Sequence, residues 1–278
     1  SMYTRVYVEI TNICNMACSF CHGHSRPRKQ MSREEFSHIL SQLKGHTEYI
    51  YYHLMGEPLC HPHLQRFLEL AGEQGFHVIL TTNGTLLKKQ QEMLLSAPGL
   101  HKVNISLHAF EANDLSVPFQ TYLENCCSFG NTAQGNYIVC YRLWNHGGAD
   151  KLNDLIQTTL KAHFPSQWVQ ERQGIRIGEK VYLENGDKFD WPDLAAPECG
   201  GRVFCYGLRD QIGILCDGTV VPCCLDHDGD IPLGNILHQP LERILDSPRA
   251  KAIYEGFQSG LAAEELCRRC GYARRFKV

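Results

Sequence analysis

The segment RVYVEITNICNMACSFC, from Arg5 to Cys21, runs from a β-rich stretch directly into three closely spaced cysteines. Residues 5–10 are predicted to form a strand, because β-branched and aromatic residues favour the extended backbone. Cys14, Cys18 and Cys21 follow in the spacing C-x3-C-x2-C. In an α/β fold, ligands bind beyond the carboxyl ends of the parallel strands, so this loop is a candidate site.

Strand-like and helix-like patterns alternate along about the first 185 residues of the chain. Further strands are predicted at residues 48–55, 77–82, 102–109, 136–144 and 180–189. Helices are predicted at residues 32–43, 62–75, 87–97, 113–128 and 150–163. The repeated β–α order implies a parallel sheet with right-handed crossovers. We therefore expect an α/β fold in the form of a partial, TIM-like (β/α)6 barrel, because a complete eight-unit barrel needs about 250 residues.

The overall composition is that of a globular protein. Of the 278 residues, 43% are hydrophobic and 21% are charged, which suffices for a real core. The formal net charge of −3 gives no electrostatic reason to expect a nucleic-acid or membrane-surface partner. The longest apolar runs have the length of strands, far short of the roughly 20 residues of a membrane helix. We therefore expect neither nucleic acid nor membrane among the partners.

Fourteen cysteines are many for a chain of this length. A secreted disulfide scaffold is usually smaller and poorer in apolar residues, so we expect a reducing, cytoplasmic location with thiols that are free or bound to metal. Three cysteines fall in residues 14–21 and seven in residues 199–270, which predicts two metal sites. The four others are expected to be buried as small hydrophobic residues: Cys60, Cys126, Cys127 and Cys140.

The three cysteines of the first loop fit an iron–sulfur cluster with one open position. Three thiolates can hold three irons of a [4Fe–4S] cubane, whereas four cysteines are the normal set. The remaining iron would then be open to another molecule, as in catalytic metal centres. Two alternatives stay open on spacing alone: a zinc site that uses His22 or His24, and three incidental thiols.

The loop resembles the signature of the radical SAM superfamily, in which an aromatic residue stands just before the third cysteine, here Phe20. The resemblance implies an enzyme in which Cys14, Cys18 and Cys21 hold a [4Fe–4S] cluster whose open iron binds S-adenosylmethionine (SAM). It also implies an external electron donor of the flavodoxin or ferredoxin type. One electron from the cluster would cleave SAM to methionine and a 5′-deoxyadenosyl radical.

Further segments resemble SAM-binding motifs of this superfamily, and each ends a predicted strand. The segment MGEP contributes Gly56, for close backbone approach, and Glu57, as the acceptor for the SAM ammonium. The segment TTNG contributes Asn83. Ser106 and Arg142 match positions that contact the polar groups of SAM, where a guanidinium suits the carboxylate. Taken singly, each is also consistent with a solvated acid, a turn or an ordinary strand residue.

The composition changes near WPDLAAPECGG, and we place a domain boundary there. Residues 1–190 are predicted to form the barrel domain and residues 191–278 a smaller second domain. The second domain contains a predicted hairpin over residues 211–224, which turns at Asp217-Gly218. Two short helical patterns follow the hairpin.

This second domain resembles the SPASM/twitch extensions of the radical SAM superfamily. The resemblance implies an auxiliary [4Fe–4S] cluster held by four cysteines: Cys205, Cys223, Cys267 and Cys270. Cys216 and Cys224 are left over, and Cys199 is a rival to Cys205 because the segment CGGRVFC offers a thiol at either end. A zinc ribbon with the same four thiolates stays open as an alternative.

The resemblance implies abstraction of a hydrogen atom from a small-molecule or peptide substrate. Oxidation by dehydrogenation is then expected, with the auxiliary cluster as electron acceptor. A peptide maturase that crosslinks or epimerises is one alternative. A non-catalytic iron–sulfur electron carrier and a zinc-dependent interaction module are others. Four residues are candidate acid–base groups: Asp226, Asp228, His108 and His146.

Overall fold

The computed structural model of this chain describes residues 2–15, 25–107, 117–146, 152–187 and 207–270. Its contacts divide the chain into two units, each built from segments that are distant in sequence. The first unit comprises residues 1–13, 24–56 and 189–278, and the second comprises residues 14–23 and 57–188. The predicted domain boundary at residue 190 lies outside the described residues and stays a prediction.

Strands and helices alternate through the described ranges, as the sequence predicts. The strands are β1 (Arg5–Val8), β2 (Tyr49–Tyr51), β3 (His77–Thr82), β4 (Leu100–Ser106), β5 (Ile138–His146), β6 (Val169–Glu171), β7 (Gly174–Gly178), β8 (Val181–Asp187), β9 (Gln211–Ile214), β10 (Thr219–Val221) and β11 (Gly234–Asn235). The α-helices are α1 (Arg33–Leu43), α2 (Leu64–Glu73), α3 (Leu87–Leu95), α4 (Phe119–Ala133), α5 (Asn153–His163), α6 (Leu241–Leu245), α7 (Pro248–Gln258) and α8 (Glu265–Arg268). One turn of 3-10 helix spans Pro58–Cys60.

β1 lies between β9 and β2 in the first unit, in which the strand order is β11-β10-β9-β1-β2. It pairs in parallel with both β2 and β9, so that Val6 lies opposite Ile50 on one side and Ile212 on the other. β9 and β10 form the predicted antiparallel hairpin, and Gly218 at its turn has a φ of 92°. Strands from the two ends of the chain therefore build one unit.

α1 shows how the first unit is stabilised. The predicted capping box is present, because the Ser32 side chain accepts from the Glu35 amide and the Glu35 carboxylate accepts from the Ser32 amide. Four apolar side chains of α1 are fully buried: Phe36, Ile39, Leu40 and Leu43. Burying each such side chain stabilises the fold by about 1.5–3 kcal/mol, so packing outweighs the cap.

The second unit has the strand order β3-β4-β5-β8-β7-β6. β3, β4, β5 and β8 pair in parallel, whereas β6, β7 and β8 pair antiparallel in sequence order. β8 is the predicted sixth strand and pairs in parallel with β5, as expected, whereas the antiparallel strands β6 and β7 were not predicted. These two strands were missed because β6 has only three residues and its Val169 is exposed, so it lacks a half-buried alternation.

α4 begins at Phe119, later than the predicted start at residue 113. Pro118 stands at its N-cap, and proline fits the start of a helix but not its interior. In the described ranges, no helix is both long and apolar enough to cross a lipid bilayer.

Candidate active site

The backbone on either side of the cysteine loop is fixed by Asn12. Its amide donates to the Lys29 carbonyl (3.1 Å), its Oδ1 accepts from the Lys29 amide (2.8 Å), and its Nδ2 donates to the Pro27 carbonyl (2.8 Å). Thr11 and Gln30 add an antiparallel bridge. Asn12 is buried, so these bonds replace water that could not reach it. The first and last residues of the loop region are thereby held side by side.

A buried ion pair between Glu9 and Arg26 joins further segments to this backbone. The guanidinium donates from both terminal nitrogens to both carboxylate oxygens of Glu9, each at 2.8 Å, and its Nε donates to the His227 carbonyl at 2.8 Å. Glu9 also accepts from the amides of Met55 (3.0 Å) and Cys216 (3.1 Å). The sequence prediction missed this pair, although a glutamate within an apolar strand was an available signal.

Gly56 lies against the backbone that leads into the cysteine loop. Its φ is 80°, and a Cβ atom at this position would lie 2.3 Å from the Thr11 carbonyl oxygen. Only glycine tolerates both the left-handed backbone and this approach. The structure therefore gives a packing reason for the glycine of MGEP, and its role at SAM stays a prediction.

Glu57 is almost completely buried, with 2% of its surface exposed. One carboxylate oxygen accepts from the Asn83 amide (2.7 Å) and the other from the Leu59 amide (3.0 Å). Burial raises the pKa of Glu57 to about 7, because desolvation disfavours the charged form more than these hydrogen bonds favour it. A buried carboxyl that titrates near neutrality can become a full charge once a cation binds beside it.

Asn83 connects Glu57 with the first cysteine of the loop. Its backbone amide bonds to Glu57, and its side-chain Nδ2 lies 3.9 Å from Cys14 Sγ. Cys14 itself is exposed. Three predicted site residues from three separate motifs thus meet in the second unit.

Cys60 corrects one expectation about the scattered cysteines. Cys126, Cys127 and Cys140 are buried as predicted, but Cys60 is only partly buried. It ends the 3-10 turn beside the cysteine loop, and the Asn15 backbone hydrogen-bonds to it. The pKa of the Cys60 thiol is raised to about 11. Burial is the largest cause, and the charges of Glu57 and Cys14 add to it. Cys60 therefore stays a neutral thiol near neutral pH.

Ser106 and Arg142 lie side by side on adjacent strands. Ser106 ends β4 and is the register partner of Arg142 on β5. Arg142 is in turn the register partner of Glu184 on β8, and its Nε lies 3.8 Å from a Glu184 carboxylate oxygen. Sequence reasoning did not single out Glu184, because the pairing of β5 with β8 is set by the sheet register. A substrate or cofactor carboxylate at Arg142 would compete with Glu184.

Asp226 and Asp228 stabilise the loop after the hairpin. Asp226 is buried and accepts from the amides of Asp230 and Ile231, each at 2.8 Å. Burial raises the pKa of Asp226, although these backbone bonds oppose the shift. Asp228 accepts from the Ser25 amide at 2.7 Å. Both carboxylates therefore have structural partners, which weakens the case for either as an acid–base group.

Six predicted site residues lie outside the described residues: Cys18, Phe20, Cys21, His108, Cys199 and Cys205. His146 is placed by its backbone at the end of β5, paired with Asp187.

Three of the four predicted auxiliary ligands are described. Cys223 and Cys267 are partly buried and Cys270 is buried. The Leu225 amide donates to Cys223 Sγ at 3.4 Å. Of the remaining cysteines, Cys216 lies with its sulfur 3.9 Å from Arg26 Nη1, and Cys224 packs against the apolar cluster around Tyr7.

The described side chains include part of each predicted thiolate set, namely Cys14 of the first and Cys223, Cys267 and Cys270 of the second. Within the described ranges, no three or more His, Cys, Asp or Glu side chains are grouped so as to hold a metal ion. The donor chemistry nevertheless fits, because the sulfurs of Cys14 and Cys223 each face an N–H donor. Hydrogen bonds to the sulfurs are a feature of protein-bound iron–sulfur clusters.

Two segments of the chain match known family models. Residues 8–134 match the family model described as the radical SAM superfamily. Residues 8–134 therefore form a domain of the radical SAM superfamily. Residues 205–271 match a second model, SPASM, described as an iron–sulfur cluster-binding domain. The predicted cofactors, a SAM-binding [4Fe–4S] cluster, SAM and auxiliary iron–sulfur, are those of these two domains.

Curated relatives are similar to the first part of this chain. The AdoMet-dependent heme synthase of Methanosarcina barkeri is 29% identical over 107 residues, which cover 37% of this chain and 31% of that protein. The GTP 3′,8-cyclase of Chlorobaculum tepidum is 32% identical over 110 residues, which cover 38% of this chain and 33% of that protein. The chain thus matches about a third of the length of these relatives.

Solved structures share the fold over nearly the whole chain. BtrN in complex with AdoMet and 2-DOIA has a TM-score of 0.63 at 17% identity, covering 97% of this chain and 93% of that one. Streptococcus suis SuiB bound to the precursor peptide SuiA has a TM-score of 0.62 at 14% identity, covering 99% and 71%. At such identities the likeness shows the fold alone. It confirms the predicted α/β fold of the partial-barrel type.

Proposed function

We propose that this chain is a radical SAM enzyme that abstracts a hydrogen atom from a small-molecule or peptide substrate and oxidises it. Reductive cleavage of SAM at the loaded cluster would supply the 5′-deoxyadenosyl radical, and the auxiliary cluster would accept an electron. The first electron would come from an external donor of the flavodoxin or ferredoxin type. We further propose a cytoplasmic location and separate domains over residues 1–190 and 191–278.

One observation carries the proposal. Cys14, Glu57 and Asn83 come from three motifs far apart in sequence, yet Asn83 hydrogen-bonds to both of the others. Unrelated matches to short motifs would have no reason to meet at one loop. The meeting point also lies beyond the end of β3, where α/β folds bind their ligands.

The remaining residues receive roles that follow from their chemistry. Glu57 would accept the ammonium of SAM as a carboxylate, and Arg142 beside Ser106 would face its carboxylate. The first cluster would be held by Cys14, Cys18 and Cys21. The auxiliary cluster would be held by Cys205, Cys223, Cys267 and Cys270.

Small molecules and peptides are both candidate substrates, because the solved structures with a similar fold include an example of each. The BtrN structure contains 2-DOIA and the SuiB structure contains a precursor peptide. A peptide maturase that crosslinks or epimerises is therefore the second candidate function. Substrates deuterated at chosen carbons distinguish the two, because the deuterium that appears in 5′-deoxyadenosine identifies the substrate and the attacked position.

The primary test is SAM cleavage by the anaerobically reconstituted protein with a strong reductant. The wild type should release 5′-deoxyadenosine, and a variant with Cys14, Cys18 and Cys21 all replaced by alanine should release none. Cys127→Ala is the matched control, because this buried thiol on α4 belongs to neither proposed site. A triple variant that still cleaves SAM would refute the assignment. A wild type that carries iron but never cleaves SAM would point to an electron carrier.

Iron analysis tests the auxiliary cluster separately. We expect about eight irons per chain after reconstitution, four for each cluster. A content of about four irons, unchanged when Cys223 and Cys267 are replaced by alanine, would remove the auxiliary cluster from the proposal. Zinc in place of iron would favour a zinc ribbon.

A further inference from the structure

The side chain of Asn83 belongs to a closed ring of three hydrogen-bonded side chains. Asn83 Nδ2 donates to Asn15 Oδ1 at 2.9 Å, Asn15 Nδ2 donates to Thr85 Oγ1 at 2.9 Å, and Thr85 Oγ1 donates to Asn83 Oδ1 at 2.7 Å. Every donor in the ring has one acceptor and the direction is the same all the way round. Such a cycle polarises each of its members and holds all three in place.

The ring also decides which atom of Asn83 faces the cysteine loop. Asn83 Oδ1 accepts a second bond, from the Thr85 backbone amide at 3.0 Å. A backbone amide can only donate, so the atom that it meets must be the oxygen. The other terminal atom, which lies 3.9 Å from Cys14 Sγ, is therefore the nitrogen. One of its hydrogens is used by Asn15, and the second is directed to the sulfur.

The backbone of Asn83 is fixed as firmly as its side chain. Its amide donates to the buried carboxylate of Glu57 at 2.7 Å. Its carbonyl accepts from the Tyr122 hydroxyl at 2.7 Å, and Tyr122 itself is buried. All four polar groups of Asn83 are thus engaged within the second unit. The N–H that faces Cys14 is held in advance rather than recruited when a cluster binds.

We propose that Asn83 sets the reduction potential of the cluster at Cys14 by donating a hydrogen bond to the thiolate sulfur. Reduction adds negative charge to the cluster and its sulfurs, so an N–H donor stabilises the reduced state more than the oxidised state. Loss of this donor should make the cluster harder to reduce. Asn83 would then be a positioning residue that acts through Cys14, in addition to the contact with SAM that its motif implies. This inference rests on the proposed cluster at Cys14, Cys18 and Cys21.

The test is a reductive titration of the anaerobically reconstituted protein without SAM, followed by electron paramagnetic resonance. Asn83→Ala removes the donor. Asn83→Leu keeps a side chain of similar shape, has no N–H to offer and adds no charge. The matched control is Asn104→Ala, a buried asparagine of β4 whose Nδ2 donates to Thr81 Oγ1. The signal of the relevant cluster is the one that disappears in the triple variant of Cys14, Cys18 and Cys21.

We expect the midpoint potential of that signal to shift to more negative values in both Asn83 variants and to stay at the wild-type value in Asn104→Ala. The leucine variant keeps the test decisive if the alanine variant fails to retain iron. An iron-loaded Asn83 variant with an unchanged potential would overturn the inference and leave the proposed function standing. An equal shift in Asn104→Ala would also overturn it. A triple variant that keeps every signal would overturn the proposed cluster site and this inference together.

Discussion

Replacing Arg26 by methionine should strongly destabilise the protein. The substitution keeps most of the aliphatic stem and removes the guanidinium from the carboxylate of Glu9. The Glu9 side chain is 0% exposed and that of Arg26 is 12% exposed, so water cannot take the place of the lost cation. Burial alone would lower the pKa of Arg26, but the hydrogen bonds and the charge of Glu9 outweigh it and raise the pKa.

The size of the loss in unfolding free energy depends on the hydrogen bonds that Glu9 keeps. Breaking a buried ion pair from one side costs about 3–5 kcal/mol, because the other charge is left without its counterion. Two backbone amides, from Met55 and Cys216, still donate to Glu9 and stabilise its charge. We therefore expect a loss near the lower end, about 3 kcal/mol.

Anaerobic urea unfolding followed by far-UV circular dichroism measures this loss. With a slope of about 3 kcal/mol per molar urea, the midpoint should fall by about 1 M. Arg66→Met is the matched control, because Arg66 makes its ion pairs with Glu69 and Glu73 at the surface, where solvent screens them. A midpoint shift in Arg26→Met no larger than that in Arg66→Met would refute the reasoning.

Two further predictions concern the neighbouring motif. Gly56→Ala should cost about 1–3 kcal/mol more than Gly75→Ala in the same unfolding assay, because both glycines have positive φ but only at Gly56 would the new Cβ meet backbone, at 2.3 Å. Equal losses would show that the close approach is not what requires glycine. Since the pKa of Glu57 is raised to about 7, its carboxylate is protonated below that pH, and SAM affinity measured by equilibrium dialysis should fall about tenfold from about pH 8 to about pH 6. Glu57→Gln should bind SAM with a flat profile, and a wild type with a flat profile would remove Glu57 as the ammonium acceptor.

Much of the fold could be predicted from the sequence, because caps, apolar spacing and turns depend on residues that are close together in the chain. The capping box at Ser32 and the apolar spacing from Phe36 to Leu43 specify α1 without reference to the rest of the chain. The Asp217-Gly218 turn specifies the β9–β10 hairpin in the same way. β6 and β7 were missed because they are short and partly exposed, so their pairing depends on β8 rather than on their own pattern.

The candidate site likewise contains residues that the sequence predicts and partners that it does not predict. Spacing singled out Cys14, and the resemblance to radical SAM motifs singled out Glu57 and Asn83. The partners that hold them could not be read in this way. Arg26 meets Glu9, and Glu184 meets Arg142, only because the chain folds or the sheet register places them together. The half-buried state of Cys60 likewise follows from its place beside the cysteine loop, which composition alone does not indicate.

The pairing of β1 with β9 has a consequence for synthesis. The Thr4 hydroxyl and the Asp210 carbonyl, 206 positions apart, already bond at the start of this pairing. At a translation rate of about 5–20 residues per second, β1 waits roughly 10–40 s before β9 is made. During that time one edge of an apolar strand, with Val6 and Val8, has no native neighbour and is open to pairing with other chains. Binding of a chaperone to β1 would protect this edge while the chain is still on the ribosome.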